Sequence, residues 1–139
     1  MNFSLILPEI FLFLWAVLVF VSDFFTKEEK KGNLGYLSLL GILLCIFILF
    51  STGEGELFGD VFISDSLSHF FKTVFLLSSF LAISVSVDFS AKLKAHRGEF
   101  FALILVSTVG MMLLSSAREL IFLYVSLELV TIPLYILAA

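Results

Sequence analysis

One acid in the middle of an apolar stretch is the residue of this sequence best suited to chemistry. Glu128 lies near the centre of residues 120–139, LIFLYVSLELVTIPLYILAA. All but a few residues of this stretch are apolar. A helix of about 20 residues is long enough to cross the hydrocarbon core of a bilayer. A carboxylate at mid-bilayer costs about 2.5 kcal/mol or more to insert, so it is expected to face protein or water. Glu128 is therefore predicted to be a functional, proton-exchanging group.

The residues around Glu128 support this prediction. At helical spacing, four polar side chains share about one sixth of the helix circumference: Tyr124, Glu128, Thr131 and Tyr135. Hydroxyl groups beside an intramembrane acid can hold waters that relay protons. Pro133 donates no backbone hydrogen bond and is predicted to free the carbonyl of Leu129, one turn earlier. The alternative is that Glu128 is a neutral, hydrogen-bonded acid that only packs between helices.

Composition indicates the class of protein that positions this acid. The chain is 60% hydrophobic and 14% charged, contains 18 Phe and has a mean hydropathy of +1.15. These values predict an all-α integral membrane protein in contact with the lipid bilayer. Its 139 residues are predicted to form a single transmembrane region of about five helices, over residues 3–21, 34–50, 66–87, 100–116 and 120–139. Nucleic-acid binding is not expected, because no dense basic patch is present.

Polar residues near the helix starts have structural interpretations. Pro8 and Glu9 are typical of the first turn of a helix, where Glu9 is favoured by the helix dipole. In the third helix Lys72, Ser79 and Ser86 recur every seventh residue and predict one hydrophilic stripe, with His69 at its edge. Lys72 is as well suited to reaching the membrane interface as to burial, and a lone imidazole is a weak ligand signal.

The loops predict a topology. Lys and Arg number three in the loop after the first helix, none in the acidic, glycine-rich segment 51–65, three in the third loop and one, Arg118, in the fourth. By the positive-inside rule the first and third loops face the cytoplasm, or the matrix or stroma in an organelle, and the N-terminus lies outside. The acidic segment is expected to be a flexible loop. The predicted location is the inner, cytoplasmic membrane, with the fifth helix running inward.

No cofactor is expected to bind to this chain. The single cysteine, Cys45, lies in an apolar run, which leaves no CxxC pair for a metal or iron–sulfur cluster and no disulfide framework. Glycine-rich nucleotide-binding motifs are absent from the sequence. Because the chain stops directly after an apolar run at Ala139, it is expected to be the N-terminal part of a longer membrane protein or the product of a truncated gene.

Several runs of residues resemble one family. They are LPE at 7–9, DSLSHFFK at 65–72, GEFFAL at 98–103, STVGMM at 107–112, SAREL at 116–120, and LEL, IPLY and ILAA within residues 124–139. Together they resemble subunit N of proton-pumping NADH-quinone oxidoreductase, respiratory complex I. The resemblance covers nearly all of the chain and is most detailed in the fourth and fifth helices.

The resemblance implies an antiporter-like subunit of about fourteen helices with two inverted five-helix repeats, the first of which would begin at the fourth helix. Glu128 would be the fifth-helix glutamate of the proton pathway, paired with a lysine on a seventh helix that this chain lacks. The chain alone is therefore not expected to conduct protons. Its partners would be other membrane-arm subunits, and the NADH, FMN, iron–sulfur clusters and quinone of the complex would be bound elsewhere.

Two alternatives remain open at the level of sequence. A subunit of a multisubunit cation/proton antiporter or of a membrane-bound hydrogenase shares the buried glutamate followed by proline, but Leu127, Leu129 and the sequence IPLY at 132–135 look more like subunit N. A non-transporting membrane scaffold is the other alternative. It predicts that Glu128→Leu has little consequence, because hydrocarbon at that position relieves a desolvation cost.

Overall fold

The fold is given by a computed structural model, which describes residues 3–25, 32–57, 62–90 and 97–138. A short 3-10 helix, Phe3–Ile6, leads into the first of five α-helices. The α-helices are α1 (Leu7–Phe25), α2 (Gly32–Ser51), α3 (Ser66–Ser90), α4 (Arg97–Ser116) and α5 (Leu120–Ala138). Each contains at least 18 residues and is apolar enough to cross a membrane. The predicted class, an all-α membrane protein with about five transmembrane helices, is confirmed.

The helix bounds differ from the predicted ones, most of all in α1. This helix begins at Leu7, because residues Phe3–Ile6 form the tighter 3-10 turn, and it continues past residue 21 to Phe25. Pro8 suits the first turn, where its missing N–H group would have no partner within the helix. α2 and α4 begin two and three residues earlier than predicted, at Gly32 and Arg97.

Helices α1 to α4 form a four-helix bundle, and α5 is attached to its outside. α1 and α3 each contact both α2 and α4, α2 and α4 contact each other, and α5 packs on α4. The buried residues at the centre come from all four helices and include Leu12, Ile42, Leu76 and Leu105. α1 and α3 therefore lie diagonally across the bundle, so a side chain that joins them must cross its interior.

Glycine permits one close approach inside this bundle. A Cβ atom on Gly41 would lie 2.1 Å from Cδ1 of Trp15, so the indole ring of α1 occupies the space that a side chain on α2 would need. The indole Nε1 donates a hydrogen bond of 2.8 Å to the carbonyl of Leu37, one turn earlier in α2. The contact therefore fixes the height of α1 relative to α2.

A second close approach holds α5 against α4. A Cβ atom on Gly110 would lie 2.8 Å from the backbone nitrogen of Val130 and 3.0 Å from the backbone carbonyl carbon of Leu129. Three residues before Gly110, the hydroxyl of Ser107 donates a hydrogen bond of 3.3 Å to the carbonyl of Val130. Small residues on α4 thus let the two backbones touch beside the turn that contains Pro133.

Gly110→Ala is expected to weaken this contact. Alanine favours a helix over glycine by about 1 kcal/mol, but here its methyl group meets backbone atoms that cannot rotate away. Overpacking of this kind costs about 1–3 kcal/mol, so a net loss of stability is expected. The measurement is thermal unfolding of the detergent-solubilised protein. Gly53→Ala is the control, because a Cβ at Gly53 has no neighbour within 4 Å in the part of the chain that the structure describes; an equal shift in both variants would contradict the prediction.

The acidic segment 51–65 was predicted to be a flexible loop, and for its described residues this is wrong. Strand β1 (Gly55–Leu57) pairs antiparallel with β2 (Phe62–Ser64) in a hairpin. Phe62 is fully buried and also forms a bridge to Ala117, in the connection between α4 and α5. One buried aromatic residue supplies the apolar anchor that the acidic and glycine residues lack. We call the end of the bundle where the hairpin meets the starts of α1 and α3 the hairpin end.

Candidate functional site

Glu128 lies in the middle of α5 on the side that faces away from α4. Its side chain is half-buried, and Tyr124 and Tyr135 on the same stripe are 63% and 69% exposed. The hydroxyl of Thr131 donates a hydrogen bond of 3.3 Å to the backbone carbonyl of Glu128. The four stripe residues thus form one polar strip on the outer surface of this five-helix unit.

No residue in the described part of the chain forms an ion pair with Glu128 or donates a hydrogen bond to its carboxylate. α5 is also the least covered helix, since 11% of its membrane-spanning window is buried compared with 50% for α4. The helix remains continuous through Pro133, which is buried. The turn before Pro133 packs closely against α4 at Gly110.

A second ionisable pair lies inside the bundle. Nζ of Lys72, on α3, is 2.5 Å from Oε1 of Glu9, on α1, and the side chains are 0% and 2% exposed. The two helices lie diagonally opposite, so the pair crosses the interior between α2 and α4. Lys72 does not extend to the membrane interface; of the two roles its position allows, the structure shows the buried one.

The surroundings of the pair leave several of its atoms without hydrogen bonds. Neither oxygen of Glu9, nor Nζ of Lys72, has a hydrogen-bond partner of regular geometry among the described residues. The ring of Phe62 lies over the ammonium, with its centroid 4.8 Å from Nζ, a geometry in which the face of the ring attracts a cation. Burying two charges costs several kcal/mol per ion, which mutual attraction repays only when further hydrogen bonds are made. Without further hydrogen bonds, the attraction between Glu9 and Lys72 does not offset the free energy of burying both charges.

Polar groups lie between this region and the surface at the hairpin end. His69, one turn before Lys72 on α3, has Nε2 2.7 Å from the hydroxyl of Ser64 on β2. The Ser64 hydroxyl also donates a hydrogen bond of 3.1 Å to the carbonyl of Gly53. The start of α3 is capped by Asp65, whose Oδ1 accepts a hydrogen bond of 2.8 Å from the backbone N–H of Ser68. His69 is therefore held in place, not merely interfacial.

The sequence interpretation missed the importance of Glu9, which it treated only as an acid favoured by the helix dipole. A signal was available: α1 and α3 are odd-numbered spans, so both begin on the same side of the membrane. Glu9 and Lys72 both lie within two turns of those starts and carry opposite charges. What remained hidden was the diagonal packing that points both side chains to the centre of the bundle.

Of the other two residues of the predicted hydrophilic stripe on α3, Ser79 faces inward and Ser86 is partly buried. Ser79 is buried and shares a hydrogen bond with the hydroxyl of Thr108 on α4. A cleft of about 240 Å³ opens beside them between α3, α4 and α5, and Ser78 and Ser107 add two more hydroxyls to its lining. Among the described residues, no group of three His, Cys, Asp or Glu side chains is arranged to hold a metal ion.

Comparison with known proteins gives a consistent result. The chain is 36% identical over 140 aligned residues to NADH-quinone oxidoreductase subunit N of Trichlorobacter lovleyi, covering 99% of this chain and 28% of that protein. It is 35% identical to subunit N of Dehalococcoides mccartyi, over 96% of this chain and 28% of the relative. It is 34% identical to subunit N of Rhodobacter capsulatus, over 99% of this chain and 29% of the relative. No protein-family model matches the chain. The chain spans less than a third of the length of these curated relatives.

Proposed function

Since the chain belongs to the family of NADH-quinone oxidoreductase subunit N, we propose that it serves in proton translocation, with Glu128 as a proton-exchanging group. In this proposal the chain is part of a membrane-arm subunit of complex I. NADH oxidation and quinone reduction take place in other subunits, and their energy drives protons through this one. The observation that carries the proposal is the position of Glu128, a lone acid in the middle of an apolar span on a polar strip.

The surroundings of Glu128 support this role. A carboxyl in a low-dielectric site binds its proton more tightly, and a nearby cation favours the ionised form. A basic group that approaches Glu128 and then withdraws would make the acid release and take up a proton. The strip around Glu128 is open on the side away from α4, so further transmembrane helices of a full-length subunit can pack there. Such helices would supply the basic group that the described residues do not.

The proposal assigns the cofactors of the complex to other subunits. NADH, FMN, iron–sulfur clusters and quinone need nucleotide-binding loops, clustered cysteines or a quinone cavity. This sequence contains one cysteine, Cys45, which is buried and whose thiol donates a hydrogen bond to the carbonyl of Pro8, 3.4 Å away. The partners proposed for this chain are the neighbouring membrane-arm subunits and the lipids of the inner membrane.

The proposed orientation places the hairpin end outside and the lysine-rich loops in the cytoplasm. Lys31 and Lys94, in those loops, lie outside the described residues. We expect cysteine reporters placed directly after Lys31 or Lys94 to be protected from a membrane-impermeant maleimide added to whole cells, whereas a reporter at Gly53, exposed at the hairpin end, reacts. The Cys45→Ala background removes the native thiol. Reaction at both lysine sites with protection at Gly53 would invert the topology.

The proposal is tested by Glu128→Gln, which removes the ionisable group and keeps the shape of the side chain, in the assembled complex. A transport role requires that proton pumping falls more than assembly does. A scaffold role predicts instead that pumping survives both Glu128→Gln and Glu128→Leu. The expected result and its control are developed in the Discussion.

A further inference from the structure

We propose that Glu9 and Lys72 form a second, hydrated proton-binding site, which exchanges protons with the aqueous surface at the hairpin end through His69. The site lies on α1 and α3, inside the four-helix bundle, and Glu128 lies on the outer face of α5. The assignment of its protons to translocation rests on the function proposed above. The presence of water at the pair is a separate inference, which does not depend on that function.

The first argument is the number of unsatisfied atoms. An ammonium has three N–H donors and an ionised carboxylate has two acceptor oxygens. A single contact between Nζ and Oε1 leaves Oε2 of Glu9 and the other donors of Lys72 without partners among the described residues. Buried waters are found where a site offers two to four polar partners, and they are costly to remove. The pair supplies such partners in the interior of the bundle.

The second argument is the route to the surface. His69 and Lys72 are three residues apart on α3, so their Cβ atoms are about 5–6 Å apart on neighbouring turns. The imidazole is partly exposed, and its Nε2 contacts the hydroxyl of Ser64 at the hairpin end. Charged groups near enough to act on His69 electrostatically are Lys72, Glu54, Glu9 and Asp65. An imidazole accepts a proton on one nitrogen and donates from the other, which suits it to pass a proton along this route.

The third argument is that the pair can take up one proton and carry a net charge of no more than +1. Transfer of one proton from Nζ of Lys72 to Oε1 of Glu9 converts the ammonium to an amine and the carboxylate to an acid, and the net charge of the pair stays zero. Uptake of one further proton, delivered from water through His69, gives an ammonium beside a carboxylic acid, with a net charge of +1. The ring of Phe62 over Nζ stabilises the ammonium in that state.

The experiment replaces both charges by apolar side chains of similar size, in Glu9→Leu/Lys72→Met, within the assembled oxidoreductase in inside-out membrane vesicles. We expect the complex to assemble and to lose most of its NADH-driven proton uptake per NADH oxidised. The matched control is Ser38→Ala: Ser38 is a buried polar residue on α2, and among the described residues its hydroxyl bonds only to the carbonyl of Leu34 on its own helix. This control is expected to pump as the unmodified complex does.

The outcomes separate this inference from the proposed function. If the double variant assembles and pumps normally while Glu128→Gln is impaired, the pair is structural and the inference is overturned, with the function intact. If Glu128→Gln also pumps normally, the proposed function fails as well. If the double variant does not assemble, the inference is tested instead on the unmodified complex, by a density map that resolves ordered water. Water bonded to Oε2 of Glu9 and Nζ of Lys72 supports the site, and a dry contact overturns it.

Discussion

Glu128→Gln is expected to assemble normally and to pump poorly. Glutamine keeps the length and hydrogen-bonding capacity of the side chain but cannot bind and release a proton in the relevant range. A positioned proton-transfer group contributes about 10²–10⁴-fold to the step it serves, so we expect proton uptake to fall at least about tenfold. The measurement compares proton uptake by a pH-sensitive dye with the amount of assembled complex on native gels. Because Glu128 is half-buried on the outer face of α5, the substitution should not disturb the bundle.

Glu119→Gln is the control for this experiment. Glu119 is an exposed acid in the connection before α5, so its substitution removes the same charge outside the membrane span. It is expected to leave both assembly and pumping unchanged. Assembled Glu128→Gln with unimpaired pumping would refute the proton-exchange role. An additional Glu128→Leu variant that also pumps normally would establish the scaffold interpretation in its place.

The second large effect is expected on stability. Lys72→Met removes the cation and leaves Glu9 buried beside apolar groups, and breaking a buried pair in this way costs about 3–5 kcal/mol. Replacing a buried pair by apolar side chains of similar volume is often neutral or stabilising. We therefore expect Lys72→Met to lower the free energy of unfolding strongly and Glu9→Leu/Lys72→Met to restore much of it. Denaturant unfolding of the solubilised protein, followed by helix content, measures both.

The complete cycle includes Glu9→Leu, which leaves the ammonium of Lys72 unpaired beneath Phe62. A coupling energy close to zero, with each single substitution mild, would show that the two side chains do not interact in the folded protein. Ser84→Ala is the control on α3, because Ser84 is exposed and the one bond of its hydroxyl to the described residues goes to the carbonyl of Phe80 on its own helix. Its effect on stability is expected to remain within about 0.5 kcal/mol.

The membrane spans could be predicted from the sequence, but the structure of the hairpin that joins two of them could not. Runs of apolar residues reveal transmembrane helices because the bilayer requires every backbone polar group to be bonded within the span. The hairpin was hidden, since its stability comes from burying Phe62 against the bundle and against the connection at Ala117, not from the acidic and glycine residues around it. A local pattern cannot report a contact between residues that are 55 positions apart in the chain.

In the candidate site, too, one residue could be predicted from the sequence and another could not. Glu128 is conspicuous in sequence because nothing else in its span is charged, and its helical spacing from the two tyrosines gives the shared face directly. For Lys72 the same reasoning ended in two equal possibilities, because a side chain two turns inside a span can reach either the interface or the interior. Only the diagonal placement of α1 and α3 decided between them, and this depends on the packing of all four helices.

The packing of α5 on the outside of the bundle, mainly against α4, has a consequence for biogenesis. The bundle of α1 to α4 can close on itself as soon as α4 has left the insertion machinery, with the Glu9–Lys72 contact already shielded from lipid. α5 can then slide or rotate only within the limits set by the narrow seam at Gly110. Maturation in the bilayer is therefore expected to proceed in two stages. A nascent chain arrested after α4 should already resist protease, and the helix bearing Glu128 should be the last to gain that resistance.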